Sequence, residues 1–437
     1  MKTNYKEATS TKFHKALFMC VVLGQVTCGY ALGIAGFAVL EAQEKLGLNA
    51  FWIGLLGAGT LIGLFGSLFV GNLADKIGRR KLLLADMVIF TIISILQMFT
   101  SNVVVLLILR IGLGLCIAVD YSVGGTTTSE WLPEKDSARL VSQFIIYWTV
   151  GYVASFFAGL VMGNMHADYH IIFVTSAIPG LIVAVLRFMV NVPESPAWLS
   201  TVGKTDEANR LIQEKVGEEY HIVEEKKEVQ EKVSIAELFN KKYRKRTLIG
   251  GVFYACQVFP YYGVSIFLPI LVTQLNMGGE NTSSILYDIF CLAGSFVGVY
   301  ICNKVSRRGF LYSTFYIAGI SLAVMILGKN APMMITLVSF CVYAMMMSVA
   351  SVIQYPYPPE LFDNRVRGTG VGIVIAFSRI GAAAGTFLLP ILVENIGVYG
   401  ALTVCCVVLF IGGIACQIFA PETSPKYVKV EPKAVEA

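Results

Sequence analysis

Charge is what this sequence has least of. Only 14% of its 437 residues are Asp, Glu, Lys or Arg, where a soluble domain carries roughly a quarter. That scarcity excludes most soluble enzymes. No Ser-rich or Gly-rich linker interrupts the chain, so its length, enough for about three domains, is not divided among separate soluble bodies. CxxC and CxxH spacings are missing, and all ten Cys fall within or beside apolar stretches. Neither a zinc site nor a disulfide framework is expected. No nucleophile and base pair, phosphate-binding Gly loop or metal constellation is visible, so neither an enzyme nor a cofactor is expected. The net charge of +5 does not point to nucleic acid, because the basic residues lie between apolar runs and not on one polar domain.

What the chain has is apolar length. Hydrophobic residues make up 56% of it and the mean hydropathy is +0.68. Residues 16–40, 46–74 and 247–279 contain no charged side chain, and a helix crossing a bilayer needs about 20 such residues. Apolar runs between charge clusters give twelve spans, at about 16–40, 50–73, 82–101, 103–126, 140–164, 170–190, 247–274, 284–303, 310–328, 331–355, 369–393 and 397–420. The first run is too long for a signal-peptide core and no small-residue cleavage pattern follows it, so it reads as a retained span.

The basic residues orient these spans. The amino-terminal arm, the loops after even-numbered spans (73–81, 127–139, 187–246, 304–308, 356–367) and the tail hold 30 of the 34 Lys and Arg. Lys45 and Lys329 lie on the other side, and Arg110 and Arg379 inside spans. The positive-inside rule then makes both termini cytoplasmic. Between spans six and seven, residues 191–246 form the one long polar segment, in which Ala208, Leu211, Ile212 and Val216, then Ile235 and Phe239, recur at helical spacing. Short amphipathic helices on the cytoplasmic face are expected there. The organisation is a six-span half (1–190), a linker (191–246) and a second half with a tail (247–437).

An internal repeat supports the two halves. Arg79-Arg80 and Arg307-Arg308 stand 228 residues apart, as do Pro193-Glu194 and Pro421-Glu422, while Glu130 and Glu360 are separated by 230. Transporters built from repeated halves have this signature.

The run from Gly71 through Asp75, Gly78, Arg79 and Arg80 to Lys81 resembles the signature loop of the major facilitator superfamily, G-x-L-a-D-r-x-G-R-R/K. Arg110-x-x-x-Gly114, Glu130-x-x-Pro133 and Arg139 continue the resemblance. Pro193-Glu194-Ser195-Pro196-Ala197-Trp198-Leu199 is similar to PESPRWL of the sugar-porter-like branch, and Pro359-Glu360-Leu361-Phe362 with Arg365 and Arg367 resembles its second-half counterpart. The resemblance implies an all-α integral membrane protein of twelve helices in two pseudo-symmetric halves, working as a monomer in the plasma (inner) membrane. It also implies a cytoplasmic gate made of Gly71, Asp75, Gly78, Arg79, Arg80, Glu130, Arg139, Glu194, Glu360, Arg365 and Arg367. There are departures. Span seven lacks the Gln- and Asn-containing sugar pattern, Asn303 stands where the second loop would have Asp, and Ser306 replaces its Gly. Asp120-Tyr121 and Ser378-Arg379-Ile380-Gly381 look instead like the phosphate, aromatic-acid and organic-anion branches. Organic-acid symporters of the superfamily often carry an Asp around the Gly-Tyr of span one, where this chain has Cys28 and Ala31.

A charge near the bilayer centre costs about 2.5–3.5 kcal/mol on insertion scales, so each is a functional candidate. Arg379, mid-span, has the planar donor fork that binds a carboxylate by two parallel hydrogen bonds. Asp120 lies deep in span four, and a carboxylate in a desolvated cavity suits proton coupling. Arg110 joins it in that role, although ten residues of helix separate the two by about 15 Å and they cannot pair. Asp86 and Asp288 read as boundary residues. Gln25, Tyr30, Gln143, Gln257, Tyr262 and Gln354 are the polar and aromatic candidates for a substrate cavity, Tyr262 being favoured because Pro260 and Gly263 free backbone beside it. The expected function is a secondary transporter of a small organic anion, driven by proton symport. Sugar or polyol uptake, drug or cation efflux, and a membrane nutrient sensor that no longer transports are the alternatives.

Overall fold

The computed structural model describes residues 3–222, 234–275, 280–302, 304–329, 332–363, 365–424 and 426–427. Six helices form the first half: Lys12–Leu46, Ala50–Ile77, Arg79–Phe99, Val103–Trp131, Glu134–Asn164 and Tyr169–Met189. In the second half, span seven is Arg244–Ile266 bent by 72° into Leu268–Gln274, followed by Thr282–Cys302, Arg307–Leu327, Met333–Gln354 and Arg367–Phe419. The last element, 53 residues long, is two spans, because Gly397 takes φ 74° and ψ 170° and breaks the helix there. The described chain thus holds twelve spans. Side chains such as Ile92, Phe99, Ile108, Leu181 and Ile411 point outward uncovered, as a lipid-facing surface requires.

One end of the bundle carries the termini, the linker and the signature loops. On that face no ion pair between described residues joins the two halves. The opposite face is closed. There Tyr152 Oη of span five donates to Ser265 O of span seven at 2.5 Å. A Cβ on Gly36 would sit 1.9 Å from Ile266 O, and one on Gly54 2.2 Å from Phe387 O, so backbone meets backbone across the halves. This is the small-residue packing of membrane helices.

The linker divides between the halves. Helices Pro196–Thr201 and Thr205–Lys215 and a two-residue parallel pairing of Thr3–Asn4 with Tyr220–His221 attach its first part to the first half. Ala208 and Ile212 are fully buried, Ile212 against Tyr5, Leu17, Trp131 and Val192, as their spacing predicts. Ile235 and Phe239, in contrast, are exposed. The segment Ile235–Phe239 is a single 3-10 turn that buries Leu238 instead, too short for an amphipathic face. It docks on the second half, where Thr247 donates to Leu238 O at 3.0 Å and Lys242 Nζ reaches Asp363 Oδ2 at 2.9 Å.

One correction concerns charge. Arg187, counted above among the loop cations, lies inside the span-six helix and is 1% exposed. It stands where the apolar run 170–190 overlaps the loop range 187–246, and so was counted with the loop cations.

Candidate functional site

A cavity of about 300 Å³ lies between the halves. Leu68, Phe144, Pro359 and Gly372 line it from the span ends near the terminus-bearing face, and it opens that way. Much of its wall is aromatic: Tyr121, Trp148, Tyr254, Tyr261, Tyr262 and Tyr355. Trp148 Nε1 donates to Tyr121 Oη at 2.5 Å, and the indole stacks on Tyr152 with centroids 5.6 Å apart. Of the substrate-binding candidates, Arg379, Tyr262, Gln25 and Gln354 line this cavity. Gln257, Tyr30 and Gln143 are not among its lining residues. Gln257 is buried, its amide atoms without a partner among the described residues. Tyr30 is directed at Thr175 of span six, and Gln143 precedes the helix beginning at Phe144. The aromatic wall was missed, apart from Tyr262, because in a chain with 12% aromatic residues no spacing separates a cavity ring from a packing ring.

Arg379 is the one cation among these lining residues. Its guanidinium lies 5.7 Å from the centroid of the Tyr121 ring, and among the described residues no carboxylate pairs with it. A free guanidinium in a partly dehydrated, aromatic cavity has the charge and the donors to bind an anion.

Behind the Gln25 wall is a buried ionic cluster. Arg187 Nη1 donates to Asp86 Oδ1 at 2.7 Å and to Leu83 O at 2.8 Å, and Nη2 donates to Asp120 Oδ1. Gln25 Nε2 donates to Asp120 Oδ2 at 3.1 Å, with Cys28 Sγ 3.7 Å from the same oxygen. Asp120 opens a π-helical turn, Asp120–Gly124, a local widening that often marks functional sites. Gly24 makes room: a Cβ there would lie 2.6 Å from both Arg187 Nη2 and Asp120 Oδ1. Asp86 is therefore no boundary residue. Its partner is the Arg187 that the apolar run concealed. Arg110 is not part of this cluster; it packs over Phe173, 5.2 Å from the ring centroid. Asp288, also expected at a boundary, is fully buried, and neither of its oxygens has a partner among the described residues.

The loops realise the repeat atom by atom. Glu194 Oε1 accepts from Arg79 N at 2.8 Å, and Glu422 Oε1 from Arg307 N at 2.9 Å. Arg79 pairs with Glu130 at 3.4 Å and Arg307 with Glu360 at 3.0 Å. Asp75 pairs with Arg79 at 2.9 Å while remaining 67% exposed. Gly78 has φ 95°, and a Cβ would strike the Glu194 carboxylate at 2.2 Å; its second-half counterpart Ser306 keeps φ −64° and caps the next helix through Gly309 N at 2.9 Å. That explains the Gly-to-Ser departure. Asn303 lies outside the described residues. Arg80 Nη2 donates to Asn191 Oδ1 at 2.9 Å. Gly71 has open space around it, Arg139 pairs with Asp136 three residues before it, Arg365 pairs with Glu237 of the linker, and Arg367 Nε approaches Phe362 O at 3.5 Å. In this conformation the ion pairs of these gate residues run within each half or to the linker.

A two-half bundle of twelve membrane spans around a central cavity defines a secondary transporter. The family model for "Sugar (and other) transporter" matches residues 7–430. The inner membrane metabolite transport protein YgcS of Escherichia coli K12 is 31% identical over 415 residues, 94% of this chain and 92% of that one. The niacin transporter NiaP of Acinetobacter baylyi is 25% identical over 428 residues, 95% of each. Among solved structures, a partially occluded inward-open form of the E. coli xylose transporter XylE superposes with a TM-score of 0.80 at 18% identity, covering 94% of this chain and 99% of that one; XylE is a proton:xylose symporter of the major facilitator superfamily. The chain belongs to the sugar (and other) transporter family of that superfamily. It is a multi-pass integral membrane protein that transports small metabolites, not an enzyme.

Proposed function

We propose that the chain is a proton-coupled symporter of a small organic anion, held by Arg379 against the aromatic wall. The observation that carries this reading is the free guanidinium of Arg379 among the cavity's lining residues. A neutral substrate gives no reason for an uncompensated cation at mid-membrane, where it is costly. The aromatic faces of Tyr121, Tyr262 and Trp148 suit a planar carboxylate, and the niacin transporter among the relatives agrees with that class.

Proton coupling is assigned to the Asp86, Arg187 and Asp120 cluster. It holds two carboxylates and one guanidinium, so one proton brings it to neutrality, and Gln25 connects it to the cavity. Arg110, packed on Phe173, has a structural role. The terminus-bearing face, rich in Lys and Arg, is cytoplasmic by the positive-inside rule, which makes this conformation inward-facing. Rocking of the halves would then bring the Asp75, Arg79 and Glu130 groups toward the other half as the inner gate. The working unit is a monomer in the plasma (inner) membrane.

The test is uptake into proteoliposomes of a panel of carboxylates, sugars and organic cations, with and without an inward proton gradient, by wild type and Arg379→Ala. Uptake of a carboxylate, stimulated by the gradient and lost in the variant, is the expected result. Uptake of neutral sugars alone, indifferent to Arg379, would overturn it.

A further inference from the structure

Asp288 is a buried carboxylate that the proposed cycle does not use. It sits about two turns into span eight (Thr282–Cys302), where that helix packs against span five across the two halves, near the bond from Tyr152 to Ser265 that closes the face opposite the termini. The side chain is fully buried and both carboxyl oxygens lack a partner among the described residues. The titratable groups around it are all neutral: Tyr152 from span five, Tyr261 from span seven, and Tyr287 and Cys291 on its own helix. From span ten, Tyr343 and Cys341 face those last two, and the bent segment Leu268–Gln274 brings no titratable side chain. Among the described residues no Lys, Arg or His acts on it. An ionised carboxylate in that position has neither a donor nor a counter-charge to replace the water it gave up.

We propose that Asp288 is a second proton-binding site, separate from the Asp86, Arg187 and Asp120 cluster, and that its protonation closes the face opposite the termini. With the face shut, Asp288 is the neutral acid and packs among aromatic rings and thiols. When spans five and eight part, water reaches the carboxyl, the O–H bond breaks, the proton leaves to that water and the carboxylate stays hydrated. Reclosure requires a proton to return. Each closing event on that face therefore takes up one proton, whatever the substrate in the central cavity.

The assignment does not depend on the Arg379 reading, and its test is a distance, not a flux. Full-length protein in lipid nanodiscs carries spin labels on non-canonical amino acids at Glu44 and Glu394, both exposed on the closed face and on opposite halves, which avoids the ten native Cys. Electron double-resonance distances are recorded from about pH 5 to about pH 9, a range that covers perturbed carboxylates. In wild type the open-to-closed ratio should rise with pH, by up to about tenfold per pH unit for one proton. Asp288→Asn should stay closed throughout, and Asp288→Glu should regain the response. Arg379→Ala should keep the wild-type response even if it transports nothing, which separates this proposal from the anion reading. A wild-type distance distribution that ignores pH would overturn the assignment, with no variant needed, and so would an Asp288→Asn protein that opens as wild type does.

Discussion

Arg379 of span eleven and Tyr121 of span four face each other across the two halves, with the guanidinium 5.7 Å from the ring centroid. The contact joins the only lining cation to the residue next to the ionic cluster, since Asp120 precedes Tyr121 in the chain. On the proposed reading, an anion held at Arg379 would lie against Tyr121 and so touch both halves. Truncating one partner of a desolvated charge pair costs about 2–5 kcal/mol, which is about 30-fold or more in affinity. Arg379→Ala should lower carboxylate binding by at least that factor, measured by calorimetry on detergent-solubilised protein. Arg379→Lys should recover only part of it, because an ammonium lacks the planar fork.

The Asp120 and Arg187 pair depends on a missing side chain. Because a Cβ on Gly24 would lie 2.6 Å from both partners, Gly24→Ala must push apart two charges that have no water to retreat into. Breaking a buried pair costs about 3–5 kcal/mol. Gly24→Ala and Arg187→Ala should both lower thermal stability sharply, read by scanning fluorimetry. Asp120→Asn leaves Arg187 paired with Asp86. It should keep the fold while abolishing stimulation of uptake by a proton gradient; gradient-stimulated uptake at the wild-type level would remove Asp120 from the coupling role.

Much of the fold was readable because membranes impose long uncharged runs and a strong charge bias between them. The 228-residue repeat located the halves and, through Glu194 and Glu422, the equivalent contacts in both. The cluster was harder to see. Arg187 stands three residues from the end of its apolar run, where hydropathy gives the same answer for a loop cation and a buried one. Asp86, whose role depends on Arg187, was hidden with it. Asp288 shows the same limit from the other side: position along a helix says how deep a residue lies but not which way it faces. Gln257 and Tyr30 resembled cavity residues by type, and the rotation of their helices takes them off the wall, while Gln143 falls in the turn before the helix that begins at Phe144.

Glu194 and Glu422 offer a test of the symmetry. Each accepts a backbone N–H at the start of another span of its own half, Glu194 at span three and Glu422 at span nine, at 2.8 Å and 2.9 Å, the role of a helix cap placed in trans. Loss of such a cap costs about 1 kcal/mol. Glu194→Ala and Glu422→Ala should destabilise their halves by similar amounts, measured as paired shifts in thermal midpoint. Asp75→Asn removes only a largely exposed ion pair, worth under about 1 kcal/mol. It should insert and fold as wild type yet transport more slowly, through the gate it forms when the halves rock; unchanged uptake in proteoliposomes would exclude that gate.

On the closed face, Asp168 caps the span-six helix through His170 N at 2.9 Å and receives Lys45 Nζ at 2.7 Å. Burial acts to raise its pKa, but the hydrogen bonds from Lys45 and His170 outweigh it and hold the carboxyl at about 2, against an ordinary value of 3.8. A carboxylate lowered in the folded state adds stability that is complete above its unfolded pKa and disappears as pH falls through its folded one. The contribution of Asp168 should therefore be constant at neutral pH, begin to fall below 3.8 and be gone near about 2. Asp168→Asn should melt earlier than wild type at pH values above that window. The gap between the two midpoints should narrow on acidification, and a gap that widens instead would mean that Asp168 is not held as the carboxylate by Lys45 and His170.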